Sequence, residues 1–251
     1  KTLTLQNLGF PEDKLKIFRK WINQPYGMVI ISGPTGSGKS TTLYAALSEI
    51  MSEDINITTV EDPVEYQIPG INQVQMHDEI GLNFSASLRS ILRQDPDVLL
   101  IGEIRDEETA DIAVKFSLTG HLVFSTVHAN DAPSTITRLL DLGIPPFLLG
   151  SSLNLVMAQR LIRTIDKDSK EKYTPTNEEL ERMNLTKDAN KIDFYRGKPT
   201  NSNHNTGYKG RTAIHEILQV NSDMRQLIYE NANQNAIYET AMKNGMTPLR
   251  D

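Results

Sequence analysis

Apolar residues fall into two alternating rhythms through the first 160 or so positions of the chain. Short continuous apolar runs mark strands buried on both faces. Between them lie segments whose apolar residues recur at helical spacing, the mark of helices resting on a core. Met28–Ser32 (MVIIS) reads as a buried strand and Lys39–Met51 as the helix that follows. Ile57–Glu61 is a second strand, cut off by Pro63, and Phe84–Gln94 is a helix with Phe84, Leu88 and Leu92 on one stripe. Val98–Gly102 is a continuous apolar run, typical of a parallel strand. Asp106 reads as a helix N-cap, with Glu107 and Glu108 in the first turn and Gly120 beyond the end. Leu122–Val127 is another strand, and Pro133 and Gly143 bracket a further helix. Val98–Ile101 and Leu153–Ala158, among the longest apolar stretches, have the size of a strand or of a core-helix segment. Strand then helix, repeated, predicts an α/β fold with a mostly parallel sheet covered on both faces.

The texture changes after Arg163. Thr164–Thr206 is polar and rich in Lys, Asp and Asn, with one short helix signalled by the capping box of Thr176 and Glu179. The rest of this stretch reads as loops or a small surface subdomain. Gly210–Leu218 then reads as a strand, followed by helical patterns over Asp223–Glu230 and Asn235–Lys243. The expected organisation is a core over 1–163, a polar insertion over 164–206, and a C-terminal strand–helix region over 207–251 that is incomplete. A chain that opens on Lys1 and closes at Asp251 is expected to be a fragment of a longer one.

Composition narrows the function classes. The 251 residues are 38% hydrophobic and 23% charged, ordinary for a globular protein. No apolar run approaches the roughly 20 residues that span a bilayer, so membrane contact is expected to go through a partner. With 26 basic and 32 acidic residues the formal charge is −6, which argues against non-specific wrapping of nucleic acid. The absence of cysteine removes disulfides and thiol chemistry and suits a reducing cytosol.

The strongest chemical motif is Gly33-Pro-Thr-Gly-Ser-Gly-Lys-Ser40, set between an expected strand and an expected helix. Gly36 and Gly38 let the backbone curl so that successive N–H groups point inward at an anion. The helix dipole adds to the pull, Lys39 brings a mobile charge to the β- and γ-phosphates, and the Ser40 hydroxyl is placed to ligate Mg²⁺. The candidate nucleotide-binding residues are Gly33, Pro34, Thr35, Gly36, Ser37, Gly38, Lys39, Ser40 and Thr41.

Two acidic clusters follow strands and so belong to the carboxyl edge of the sheet, where open α/β folds bind ligands. In Val98-Leu-Leu-Ile-Gly-Glu103 an apolar strand ends in an acid, the shape of a Walker B element; Glu103 is expected to face the Mg²⁺ shell, partly through water. In Glu61-Asp62-Pro63-Val64-Glu65, Glu65 is favoured as the base that orients the attacking water, then Glu61. Each acid is otherwise a solvated loop charge. Arg89 and Arg93 share a helix face, and Arg105 follows Glu103. These arginines either clamp a phosphoryl transition state or form surface salt bridges to Asp95, Asp97 or Asp106. His121 and His128 flank one strand; His128 is a γ-phosphate sensor or a satisfied core histidine. His77, His204 and His215 show no metal-ligand spacing.

Six blocks together resemble the secretion ATPase superfamily, in its GspE/PilB type of type II secretion and type IV pilus assembly motors. They are GPTGSGKSTTLYAAL (Gly33–Leu47), VEDPVEY (Val60–Tyr66), LRSILRQDPDVLLIGEIRD (Leu88–Asp106), TGHLVFSTVHAND (Thr119–Asp131), AQRL (Ala158–Leu161) and GYKGRTAIHEIL (Gly207–Leu218). The resemblance implies a RecA-like P-loop NTPase core that hydrolyses ATP with Mg²⁺ to power pilus or pseudopilus assembly. It implies a catalytic glutamate within VEDPVEY and a Walker B role for Glu103. It implies nucleotide contact or subunit coupling by His121 and His128, and phosphate contacts by Arg89, Arg93 and Arg105 within or across subunits. It further implies a homo-hexamer in the cytoplasm, held at the inner membrane by a platform protein and by an adaptor bound through an additional N-terminal domain. No nucleic acid and no membrane span are expected. The chain departs from the family at one place. The positions that usually carry two C-x-x-C zinc pairs are here Asp166, Ser169, Thr200 and Asn203, so no zinc is expected and the subdomain must be held by packing and hydrogen bonds or be loose. The competing functions are a RecA-like nucleic-acid translocase, disfavoured by the acidic balance and the absence of aromatic–basic interleaving, and a nucleotide-binding subunit without turnover.

Overall fold

The computed structural model describes residues 4–81, 83–187 and 189–250. The strands are β1 (Gly27–Ser32), β2 (Ile57–Glu61), β3 (Asn72–Gln75), β4 (Val98–Ile101), β5 (Leu122–Val127), β6 (Leu153–Ile165), β7 (Lys170–Lys172), β8 (Tyr195–Gly197) and β9 (Tyr208–Gln219). The helices are α1 (Glu12–Ile22), α2 (Lys39–Ile50), α3 (Phe84–Leu92), α4 (Glu107–Leu118), α5 (Ala132–Asp141), α6 (Pro146–Ser152), α7 (Asn177–Arg182), α8 (Ser222–Tyr229) and α9 (Gln234–Lys243). Seven strands form one sheet in the order β3-β2-β4-β5-β1-β6-β9. β1 runs parallel to β5 and β6, β2 parallel to β3 and β4, and β4 parallel to β5. The chain folds as a RecA-like α/β domain.

The continuous apolar runs divide by parity into two cores. Met28, Ile30, Leu99, Ile101 and Val123 face one layer, with Leu88, Ile91, Val114, Leu139 and Ile228 from the helices. Val29, Ile31, Val98, Leu100, Leu122 and Phe124 face the other, with Phe18 and Ile22 of α1 and Leu43 and Leu47 of α2. Each such side chain, fully withdrawn from water, contributes about 1.5–3 kcal/mol, and burial on both faces explains why these strands show no alternation.

Leu153–Ala158 belongs to a strand. Met28 pairs with Leu153 but Val29 pairs with Leu155, so Asn154 is a surplus residue in the ladder. The bulge swaps the parity of β6: Leu153 faces one core, and Leu155 and Met157 face the other. Asn154 is held by its own bonds, its Nδ2 donating to Tyr26 O at 2.9 Å and its carbonyl accepting from Val220 N at 3.0 Å. A Cβ on Gly27 would stand 2.0 Å from the Asn154 amide, so that position is open only to glycine.

Helix starts follow the expected chemistry. Asp106 caps α4 by accepting from Thr109 N, Asp131 and Ser134 form a capping box on α5, and Asn221 and Asn233 cap α8 and α9. α3 ends at Leu92, shorter than the expected Phe84–Gln94, because Arg93 and Gln94 close it with bonds to Ser90 O and Ile91 O and Asp95 turns left-handed at φ 50°.

Residues 4–160 with 213–250 make one compact unit and residues 161–212 another. The second unit carries the antiparallel pair β7–β8. Its centre is Asn203. Nδ2 of Asn203 donates to Asp166 Oδ2 (3.1 Å), Ser169 Oγ (3.0 Å) and Lys198 O (3.0 Å), and Oδ1 accepts from Thr200 N (2.9 Å) and Gly207 N (3.1 Å). The four positions Asp166, Ser169, Thr200 and Asn203 therefore meet in a hydrogen-bonded knot. The Asn203 amide holds the Asp166 carboxyl below the ordinary aspartate range. No helix among the described residues is long and apolar enough to cross a membrane.

Candidate nucleotide-binding site

Because β1, β2, β4 and β5 are parallel, the loops that leave them share one edge of the sheet. The loop after β1 carries the glycine-rich motif. Gly36 and Gly38 take φ 78° and 85°, the left-handed region that glycine enters without strain. α2 begins at Gly38 with no side-chain cap, unlike α4, α5, α8 and α9. The N–H groups of its first turn are left to an external acceptor.

Lys39 is half-buried, and its Nζ donates to Gly33 O at 2.8 Å and Pro34 O at 2.9 Å, across the mouth of the loop. Its ammonium is held below the ordinary lysine value, first by burial and also by the nearby Arg160 charge, while Glu103 pulls the other way. Gly33 sits where a Cβ would meet Gln159 O at 2.5 Å and Ser37 Oγ at 2.6 Å. The Ser37 hydroxyl is buried and has no hydrogen-bond partner among the described residues. A loop closed to a side chain at Gly33, uncapped amides and one ammonium on its rim fit a polyphosphate. Ser40 and Thr41 lie in the first turn of α2 behind Lys39, and Pro34 and Thr35 form the exposed crest.

Glu103 follows β4 and is clamped by its neighbours. Gly102 N donates to Val60 O at 2.8 Å, Thr126 Oγ1 donates to Gly102 O at 2.7 Å, and Ile104 N donates to Thr126 O at 3.0 Å. A Cβ at 102 would press to 3.3 Å from Glu61 Cα and Val60 O, so a larger residue would have to push the backbone after β2 aside by a few tenths of an ångström. The Glu103 carboxylate pairs with Arg105 Nε at 2.6 Å and His128 Nε2 at 3.1 Å, and its side chain is 16% exposed. Lys39, Glu103, Arg105 and His128 are thus brought together.

The two candidate bases occupy different surroundings. Glu61 is buried at the end of β2 and accepts from the Tyr44 hydroxyl, Thr59 Oγ1 (2.6 Å) and Gln73 Nε2 (3.4 Å). Its oxygens are taken. Burial, then the Glu61 contact, pushes the Tyr44 phenol far above its ordinary value, so it stays a donor. Glu65 stands exposed four residues on, and its N–H donates to the same Tyr44 hydroxyl at 3.2 Å. Tyr44, on α2, therefore ties the acidic loop to the helix behind the phosphate loop.

Other expected site residues stand apart. Arg89, on α3, pairs with Glu108 on α4 rather than with Asp95, Asp97 or Asp106. Arg93 is exposed and forms no ion pair among the described residues. His121 lies at the start of β5, at the opposite edge of the sheet from the phosphate loop of its own chain. It stacks on Phe116 at 4.0 Å, its Nδ1 lies 3.1 Å from Phe116 O, and its Nε2 lies 3.5 Å from Asp95 Oδ1. Strand direction explains the separation: His121 opens β5 and His128 follows its end. Two participants escaped sequence reading. Buried Gln159 donates from Nε2 to Ser37 O at 2.7 Å and accepts from Thr42 Oγ1 at 2.8 Å. Arg160 donates to Asn130 O at 2.7 Å, in the loop beyond His128. The only hint of either was their place in the AQRL block.

A family model described as "Type II/IV secretion system protein" matches residues 1–251. Type II secretion system protein E of Xanthomonas campestris is 51% identical over 244 residues, covering 96% of this chain and 43% of that protein. The type IV pilus assembly ATPase PilB of Myxococcus xanthus is 48% identical over 251 residues, covering 99% of this chain and 44% of that protein. The pilus retraction motor PilT with bound ADP aligns at a TM-score of 0.67 with 27% identity, over 98% of this chain and 65% of that one. The ATPase DotB of Legionella pneumophila, at 23% identity, a TM-score of 0.67 and coverage of 97% and 57%, shares the fold. The chain spans less than half the length of these two curated relatives.

Proposed function

The chain belongs to the type II/IV secretion system protein family, and from that premise we propose that it binds and hydrolyses ATP as the motor domain of a type IV pilus or type II secretion pseudopilus assembly machine. The observation that carries this reading is the convergence of Lys39, Glu103 and His128 beside a glycine-lined loop at one edge of the sheet. Residues 1–163 and 207–251 carry the motor core and 164–206 a surface module. The loop amides and Lys39 bind the triphosphate. Magnesium, when bound, neutralises the phosphate oxygens, and Ser40, with Glu103 through water, would hold it. Glu65 accepts the proton of the attacking water; the water oxygen bonds to the γ-phosphorus as the bridging β–γ oxygen departs with ADP. His128 senses the terminal phosphate through its contact with Glu103. Arg105 steadies the same carboxylate.

Arg89 on α3 and Arg93 just past its end are both exposed, which suits phosphate contact across a subunit boundary. His121 at the far end of β5 suits subunit coupling better than nucleotide contact in its own chain. Both features favour a closed homo-oligomeric ring, and a hexamer acting in the cytoplasm against an inner-membrane platform protein and an adaptor is the assembly proposed. The decisive experiment is calorimetry with MgADP and phosphate release on the 251-residue chain. Lys39→Ala is expected to abolish binding. Glu103→Gln is expected to keep binding and lower kcat about 100-fold or more. A Lys39→Ala protein that binds and turns over like the parent would overturn the assignment.

A further inference from the structure

The contacts of Gln159 reach further than packing. Its side chain is buried, and both ends of its amide are used. The Ser37 carbonyl can only accept, so Nε2 must face it, which leaves Oε1 for the Thr42 hydroxyl. The amide is thereby oriented without ambiguity. The backbone of Gln159 also abuts the loop, because its carbonyl fills the space a Cβ on Gly33 would need.

A trans peptide sends its C=O and its N–H to opposite sides. The carbonyl of Ser37 and the N–H of Gly38 belong to one such plane. Drawing Ser37 O outward onto Gln159 therefore turns Gly38 N–H to the opposite side, into the curl of the phosphate loop. Gly38, at φ 85°, has no Cβ to oppose rotation of this plane, so its own residue type does not fix the direction. In the reversed orientation the loop would present a carbonyl dipole to an anion in place of a donor.

We propose that Gln159 is a positioning residue for nucleotide binding: by anchoring the Ser37 carbonyl it sets the direction of the Ser37–Gly38 peptide and so keeps Gly38 N–H available to phosphate. This inference rests on the phosphate-loop reading given above and deepens it. Both ends of the Gln159 amide are committed to Ser37 and Thr42, so it acts through the loop.

The discriminating variant is Gln159→Glu, which keeps shape but places a carboxylate oxygen against Ser37 O. A protonated carboxyl can still donate to that carbonyl, whereas an ionised one repels it. Titrating MgADP into the full chain, the Kd of Gln159→Glu is expected to rise about tenfold or more above that of the parent at pH 8. Gln159→Met, equally long and apolar, removes the donor without adding a repelling charge and is expected to weaken binding less than Gln159→Glu does. In turnover, KM is expected to rise more than kcat falls. Thermal unfolding of each variant, monitored alongside, separates a redirected loop from a lost fold. Gln159→Glu binding within twofold of the parent at pH 8 overturns the proposal. If Gln159→Glu does not fold, Gln159→Met decides alone, and parent-like affinity there overturns it. A parent chain that binds no MgADP instead removes the phosphate-loop reading itself.

Discussion

Two glutamates four residues apart in one loop have separate fates, and their partners decide which. Glu61 is buried and has both oxygens engaged by Tyr44, Thr59 and Gln73, so it secures the end of β2. Glu65 keeps a solvated carboxylate on a backbone pinned by Tyr44. Glu65→Gln is expected to leave thermal stability within about 0.5 kcal/mol of the parent and to lower kcat about 100-fold, measured by phosphate release. Glu61→Ala is expected to lower stability by about 1–3 kcal/mol in denaturant unfolding, through the stranded hydroxyls. Equal loss of kcat with unchanged stability in Glu61→Ala would reverse the two roles. The different surroundings of the two acids are not legible in the sequence, because the residue that sets them, Tyr44, lies 17 and 21 positions away, beyond any local spacing rule.

Strands and helices were legible because each has a local cause. Runs such as Val98–Ile101 mark a buried element by themselves, and caps such as Asp106 and the Thr176–Glu179 pair are written within four residues. Leu153–Ala158 was ambiguous because this part of β6 is buried on both faces, and a short continuous apolar run looks the same in a strand and in a core helix. The polar stretch after Arg163 was opaque for a different reason. Its order comes from Asn203, whose side chain gathers Asp166, Ser169, Lys198, Thr200 and Gly207, and no periodicity reports such a knot. Asn203→Ala is expected to raise amide hydrogen exchange across 195–207 by tenfold or more, on the order of 1–2 kcal/mol of local opening, with the strands β1, β4 and β5 unaffected. Unchanged exchange at Thr200 and Gly207 would show that packing alone holds this unit.

At the scale of the molecule, residues near the beginning and end of the chain meet. Lys14 Nζ donates to His215 O at 2.5 Å, Trp21 Nε1 donates to Gln219 Oε1 at 3.0 Å, and Phe10 stacks on His215 at 3.7 Å. His215 is buried, and neither ring nitrogen has a hydrogen-bond partner among the described residues. Burial, helped by the Lys14 charge, brings it down to about 4. An unfolded histidine titrates near 6.5, so below that pH the unfolded chain binds a proton that the folded one refuses. Stability is therefore complete above about 6.5 and falls as pH drops toward about 4, by on the order of 3 kcal/mol. Glu216, raised by burial, contributes in the opposite sense, so the comparison of parent and variant isolates His215. His215→Phe is expected to lose less stability between pH 8 and pH 5 than the parent in urea unfolding; identical losses would remove His215 from the account. A last consequence concerns counting along β6. Were Asn154 absorbed as an ordinary rung, every later residue would slip one place out of phase, Ser32 would face Met157, and the Gln159 amide would swing to the wrong side of the sheet, away from α2. The aim of that amide is set five residues upstream, by an asparagine that itself never nears the phosphate loop.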